Sequence, residues 1–145
     1  MGKKRITTSA DGSASGEKKA TDSSSSKQKK QVLKGTIHIA SSYNNTMVSV
    51  SDTKGDVFAW TTAGSMGFKG ARKSTPYAAT LVAKEATERA KKFGLQEARI
   101  IIRGIGPGRE AAIRGVASTG LSITSIIDDT PQPHNGVRPP KPRRV

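Results

Sequence analysis

The stretch STPYAATLVAKEATERAKKFGLQEARIIIRG, Ser74 to Gly104, decides the architecture. Ser74 or Thr75 can cap a helix, Pro76 suits the first turn, where its missing N–H would have no partner anyway, and Gly94 follows the last turn. Ala79, Val82, Ala83, Ala86, Ala90 and Phe93 recur at steps of three and four, which gives the helix one apolar stripe. Glu85 with Arg89, and Glu88 with Lys92, have i,i+4 spacing on its wet face. The continuous apolar run in EARIIIRG predicts a strand buried on both faces.

Upstream, KGTIHIAS alternates Ile37 and Ile39 with polar neighbours, the mark of a strand with one buried face. TMVSVSD and VFAWTT read as two more strands. Asn44-Asn45 suit the first connecting turn because asparagine tolerates the left-handed region, and Gly55 suits the second. Three strands joined by short turns make an antiparallel meander. Downstream, REAAIRGVASTG predicts a shorter helix ending at Gly120, and LSITSIIDDTP a last strand through Leu121, Ile123 and Ile126. The expected fold class is α/β: a mixed sheet in which the three-strand meander is followed by αβαβ, with helices covering the sheet through right-handed crossovers.

Two ends lie outside this pattern. Residues 1–33 are Ser/Lys-rich, and Ile6, Val32 and Leu33 are their only branched aliphatic or aromatic residues, too few to offset chain entropy; a disordered basic extension is expected. The closing PHNGVRPPKPRRV holds four prolines, four Lys or Arg and no carboxylate. The expected division is 1–33 extension, 34–130 α/β domain and 131–145 extended basic tail.

Charge narrows the partners. The chain has 145 residues, with 25 Lys and Arg against 11 Asp and Glu, a net charge of +14. Neutralising phosphates releases condensed counterions, so such charge serves chiefly on nucleic acid. The longest aliphatic run is Ile100 to Ile102, and the start of the chain has no apolar h-region, so neither a membrane span nor a secretory signal is expected. Zero cysteines exclude disulfides and thiol nucleophiles. An intracellular, soluble protein is the expectation.

Four motifs could carry chemistry. GIGPGR lacks the third glycine of a dinucleotide fingerprint and the Gly-Lys-Ser/Thr of a P-loop. Gly106, Pro107, Gly108 and Arg109 can instead bind one backbone phosphate at a helix start, or simply form a tight turn. FKGARKST brings Lys69, Arg72, Lys73 and Ser74 to a helix N-terminus, with no carboxylate between Asp56 and Glu85, and reads as a phosphate-binding loop. His38 and His134 have no neighbouring acids at ligand spacing, so no metal or cofactor site is expected. Asp52/Asp56 and Asp128/Asp129 flank turns or strand ends, where aspartate is usually a solvated turn residue. Phe58 and Trp60 share a strand face by parity and read as packing, which leaves Phe68 as the one aromatic placed for a base. Asn135-Gly136 is a chemical weak point, because glycine does not hinder backbone attack on the preceding amide.

HIASSYNNTMVSVSD, GFKGARKSTPYAA, GPGRE and DDTPQPHNGVRPPKPRRV together resemble the eleventh protein of the bacterial small ribosomal subunit, in order from about Val32 to Val145. The resemblance implies a ribonuclease-H-like topology used without catalysis. It also implies binding to small-subunit ribosomal RNA on the platform, near the messenger RNA path and exit site. The implied neighbours are the seventh, eighteenth and twenty-first small-subunit proteins, with no homo-oligomer. Carried over by motif, Asn44, Asn45, Lys69, Arg72, Lys73, Ser74, Gly106, Pro107, Gly108, Arg109 and Arg114 are expected to face RNA, as are His134, Asn135, Arg138, Lys141, Arg143 and Arg144 in the tail. Ile105 stands where the bacterial pattern usually has proline, and the extension before Val32 is longer than the family's short basic arm. Two alternatives remain: a general nucleic-acid coat, and a ribonuclease-H-type enzyme. The enzyme needs convergent carboxylates for metal ions, and KGTIHIAS carries none.

Overall fold

The computed structural model describes residues 31–142. β1 (Lys34–Ser41), β2 (Thr46–Asp52) and β3 (Val57–Thr62) form the meander, followed by α1 (Pro76–Lys91), β4 (Glu97–Arg103), α2 (Arg109–Ala117) and β5 (Ser122–Asp128). The sheet order is β3-β2-β1-β4-β5, with β2 antiparallel to both neighbours and β4 parallel to β1 and β5. The central strand thus pairs with one strand next in sequence and another that follows α1.

The helices and the sheet share one core. Ile37 and Ile39 of β1, Val48 and Val50 of β2, and Ile100 and Ile102 of β4 alternate onto the same face and are almost completely buried. Against them α1 lays Ala78, Ala79, Val82, Ala83, Ala86 and Ala90. This alanine-rich stripe brings the helix axis close to the sheet. α2 packs on α1 through Gly115, where a Cβ would stand 2.8 Å from the Thr80 carbonyl oxygen, and the Thr80 hydroxyl donates to the Ala111 carbonyl at 3.3 Å.

Because α1 and α2 touch, they lie on one side of the sheet. β4 therefore departs from the expected double burial: Ile100 and Ile102 are buried beneath the helices, while Ile101 is half-exposed on the opposite face. A continuous apolar run states that a strand can be covered twice, not that one chain supplies both covers.

Two register shifts explain the imperfect alternation of the edge strands. Between β2 and β3, Val50 pairs with Ala59 and Ser51 with Val57, so Phe58 falls out of step. Its ring meets Phe93 edge-on at 5.5 Å, while Trp60 stands exposed. The two therefore do not act as the packed pair that strand parity predicts. Between β4 and β5, Ala98 pairs with Ile123 and Arg99 with Ser125, which brings Ile126 opposite Ile100.

The helix ends follow their local chemistry. The Thr75 hydroxyl accepts from the Ala78 N–H at 3.3 Å, with Pro76 in the first turn, and Gly94 adopts φ 93° after the last. On the wet face Arg89 closes on Glu85 at 2.8 Å, while the Glu88–Lys92 pair does not form.

Candidate nucleic-acid interface

The carboxyl ends of β1, β3, β4 and β5 and the amino end of β2 meet at one edge of the sheet. From this edge emerge the β1–β2 hairpin, the basic loop before α1, the glycine loop before α2, and the tail. Short backbone bonds knit them together: Ala63 donates to Thr46 at 3.0 Å, Gly106 to Ser41 at 3.0 Å, and Asp129 to Ile102 at 2.9 Å. Segments separated in sequence thus make one surface.

The glycine loop owes its spacing to close backbone approach. A Cβ on Gly104 would stand 2.1 Å from the Ser41 carbonyl oxygen, and one on Gly106 would stand 2.2 Å from that of Ser42. One on Gly108 would meet the Thr46 hydroxyl at 2.6 Å and Ala79 at 2.8 Å. The alternate glycines are the seam between hairpin, loop and α1. This supports the tight-turn reading of GIGPGR, with Pro107 and Ile105 left outside the seam and exposed.

The hairpin closes differently from the asparagine-based expectation. Ser42 Oγ accepts from the Asn45 N–H at 3.1 Å and the Asn44 N–H at 3.4 Å, so neither asparagine needs positive φ. Asn135 in the tail is the non-glycine residue with positive φ among the described residues, at 56°. Asn44 is exposed, while the Asn45 side-chain oxygen is buried without a hydrogen-bond donor.

In the basic loop, Gly70–Ser74 forms a single 3-10 turn where the sequence suggested irregular chain. Arg72 and Lys69 are exposed and Lys73 half-exposed; none of the three makes a side-chain ion pair or hydrogen bond among the described residues. The Ser74 hydroxyl instead donates to the Ala71 carbonyl at 3.1 Å. Phe68 packs against the core and meets Tyr77 edge-on at 6.2 Å. The exposed rings at this edge are Tyr43 and Tyr77, at 69% and 68%. Sequence reasoning passed over both; Tyr77 carries a usable signal, because the second position of a capped helix projects into the same loop.

Other cations are already partnered. Arg109 pairs with Asp128, Arg103 with Asp129, and Arg114 with Glu110 at 3.2 Å. The Thr130 hydroxyl, opposed by partial desolvation and then helped by Arg109 and the Thr130 N–H, holds the Asp128 carboxyl below the usual aspartate range. Arg109 therefore ties the start of α2 to the end of β5 and is less available than a free phosphate ligand. In the tail, His134, Asn135, Arg138 and Lys141 are exposed. Arg143 and Arg144, like residues 1–30 of the extension, lie outside the described residues. No group of three or more His, Asp or Glu that could hold a metal ion occurs among the described residues. No helix there is long and apolar enough to cross a membrane.

A small α/β domain with Lys69, Arg72 and Lys73 unpaired among the described residues at one edge, flanked by exposed tyrosines, suits contact with a polyanion. Residues 35–144 match the family model of Ribosomal protein S11. The small ribosomal subunit protein uS11 of Aquifex aeolicus (strain VF5) is 54% identical over 119 residues, which is 82% of this chain and 95% of that protein. The chain belongs to the ribosomal protein S11 family, whose members are structural rather than enzymatic.

Proposed function

We propose that the protein is a structural constituent of the small ribosomal subunit that binds small-subunit ribosomal RNA through this edge. The observation that carries the reading is the grouping of Lys69, Arg72 and Lys73, all unpaired among the described residues, with the hairpin, the glycine loop and the cationic tail. Asn45 lies in the same hairpin, next to the exposed Asn44. Asn44, Ser74, Gly106, Pro107, Gly108 and Arg114 border the contact, and Arg109 contributes mainly by fixing the glycine loop. The tail, with His134, Asn135, Arg138, Lys141, Arg143 and Arg144, runs along phosphates, its prolines lowering the entropy lost on ordering.

The finer placement is the platform, near the messenger RNA path and exit site, beside the seventh, eighteenth and twenty-first proteins. Strand order 3-2-1-4-5 with only β2 reversed is what a ribonuclease-H-like topology requires. The proposed division remains extension 1–33, domain 34–130 and tail 131–145. The test is co-sedimentation with small subunits at physiological salt. Recovery only in free or nucleoid fractions would refute the reading, and equal affinity for unrelated RNAs would favour a general coat.

A further inference from the structure

Parallel strands occur almost only in sheets covered on both faces, because the crossovers that join them deposit helices there. Here β1, β4 and β5 run parallel, yet α1 and α2 occupy a single face. The other face is uncovered among the described residues. The registers carry one row straight across it: Trp60, Ser49, His38, Ile101 and Ile127, one from each strand. Met47, in the next row, is 44% exposed and Trp60 57%.

We propose that this bare face is the docking surface for a second protein, which presents apolar side chains to the Trp60–Ile127 row and a carboxylate to Arg99. The proposal rests on the ribosomal placement above.

The charge on the face selects this occupant. In a chain of net charge +14, the face is nearly neutral. Lys34 is compensated by Glu97 at 2.9 Å, and Arg103 by Asp129. His38 is hydrogen-bonded to the Ser51 hydroxyl at 3.1 Å and kept neutral by burial and by Arg103. Arg99 is exposed and makes no ion pair among the described residues. Phosphate backbones call for many free cations and base stacking for several rings. The face offers one free cation and one large ring; the rest is two closed ion pairs, the half-buried His38 and aliphatic or small hydroxyl surface. Exposed apolar surface with an arginine at its border matches the core and rim of a protein interface; arginine's planar fork fits a carboxylate or a phosphate, and on a protein partner the fitting group is a carboxylate.

The test places photoreactive benzoylphenylalanine at Met47 in the full-length chain, assembles it into small subunits and maps the adducts by mass spectrometry. An adduct to a peptide of another ribosomal protein is expected. Adducts only to RNA or to a second copy of this chain, or no adduct at all, overturn the proposal. The same group at Arg72 reports separately on the RNA edge. An absent RNA adduct there, with a protein adduct at Met47, sinks the RNA contact and leaves the docking surface standing. Failure of the labelled chain to enter the particle refutes both. Arg99→Glu is expected to cut the Met47 adduct at least about tenfold against Arg99→Lys, because like charges meet at the interface; equal yields overturn the carboxylate assignment.

Discussion

Asp128, the last residue of β5, closes an ion pair with Arg109, the first residue of α2. The pair fixes where the tail departs and neutralises a cation at the edge proposed to face RNA. Asp128→Asn is therefore expected to strengthen RNA binding and steepen its salt dependence by about one unit of log–log slope. Filter binding over a salt series checks this; an unchanged slope would show that Arg109 stays shielded.

Arg72 and Lys69 hold no side-chain partner among the described residues, so removing either should leave thermal unfolding unchanged. Arg72→Ala is expected to lower RNA affinity uniformly and to reduce the salt slope by roughly 0.7–0.9. A lowered thermal midpoint with an unchanged slope would assign the residue to the fold instead.

Gly104 combines φ 103° with a position where a Cβ would lie 2.1 Å from the Ser41 carbonyl oxygen. Gly104→Ala is expected to cost more than about 3 kcal/mol, because backbone strain and a backbone clash add. Gly64→Ala, with its nearest obstacle at 3.8 Å, is the matched control and should be near neutral. Denaturant unfolding compares them, and similar midpoints would deny the seam its role.

His38 has its pKa lowered from 6.5 by burial and then by Arg103. Between the lowered folded value and 6.5, the unfolded chain binds more protons than the folded one, so stability rises with pH across that window. The contribution is fully present above 6.5 and is lost as pH falls through the folded value. Unfolding curves from about pH 5 to 8 should show this rise, and His38→Gln should flatten it.

Asn135 sits exposed before Gly136 with φ 56°. Deamidation or isoaspartate formation is expected there during ageing of the purified protein. Peptide mapping reads it directly, and an unmodified Asn135 after prolonged incubation removes the idea.

Local chemistry made most of the fold legible. The strand limits Lys34–Ser41, Thr46–Asp52 and Val57–Thr62, and the Thr75-Pro76 helix start, follow from alternation, capping and turn residues read over a few positions. What sequence did not disclose depends on distant partners. The single-sided helix layer requires knowing that Gly115 meets Thr80. Phe68, expected to face a base, is folded inward by the loop, and Tyr77, for which the sequence suggested no role, is the exposed ring beside it. Arg109 looked free because Asp128 is remote in sequence. The candidate site was legible as a set of basic motifs; their convergence on one edge was not.

The central position of β1 also governs when the chain can fold. Ile37 lies opposite Val50 on one side and Ile100 on the other. The hairpin half can form as soon as it is synthesised, but the middle of the sheet stays half-zipped until β4 emerges. Closing so long a loop before its contacts form slows folding. A nascent chain stalled before Glu97 should therefore expose β1 to proteolysis, and one stalled well beyond Asp128 should resist.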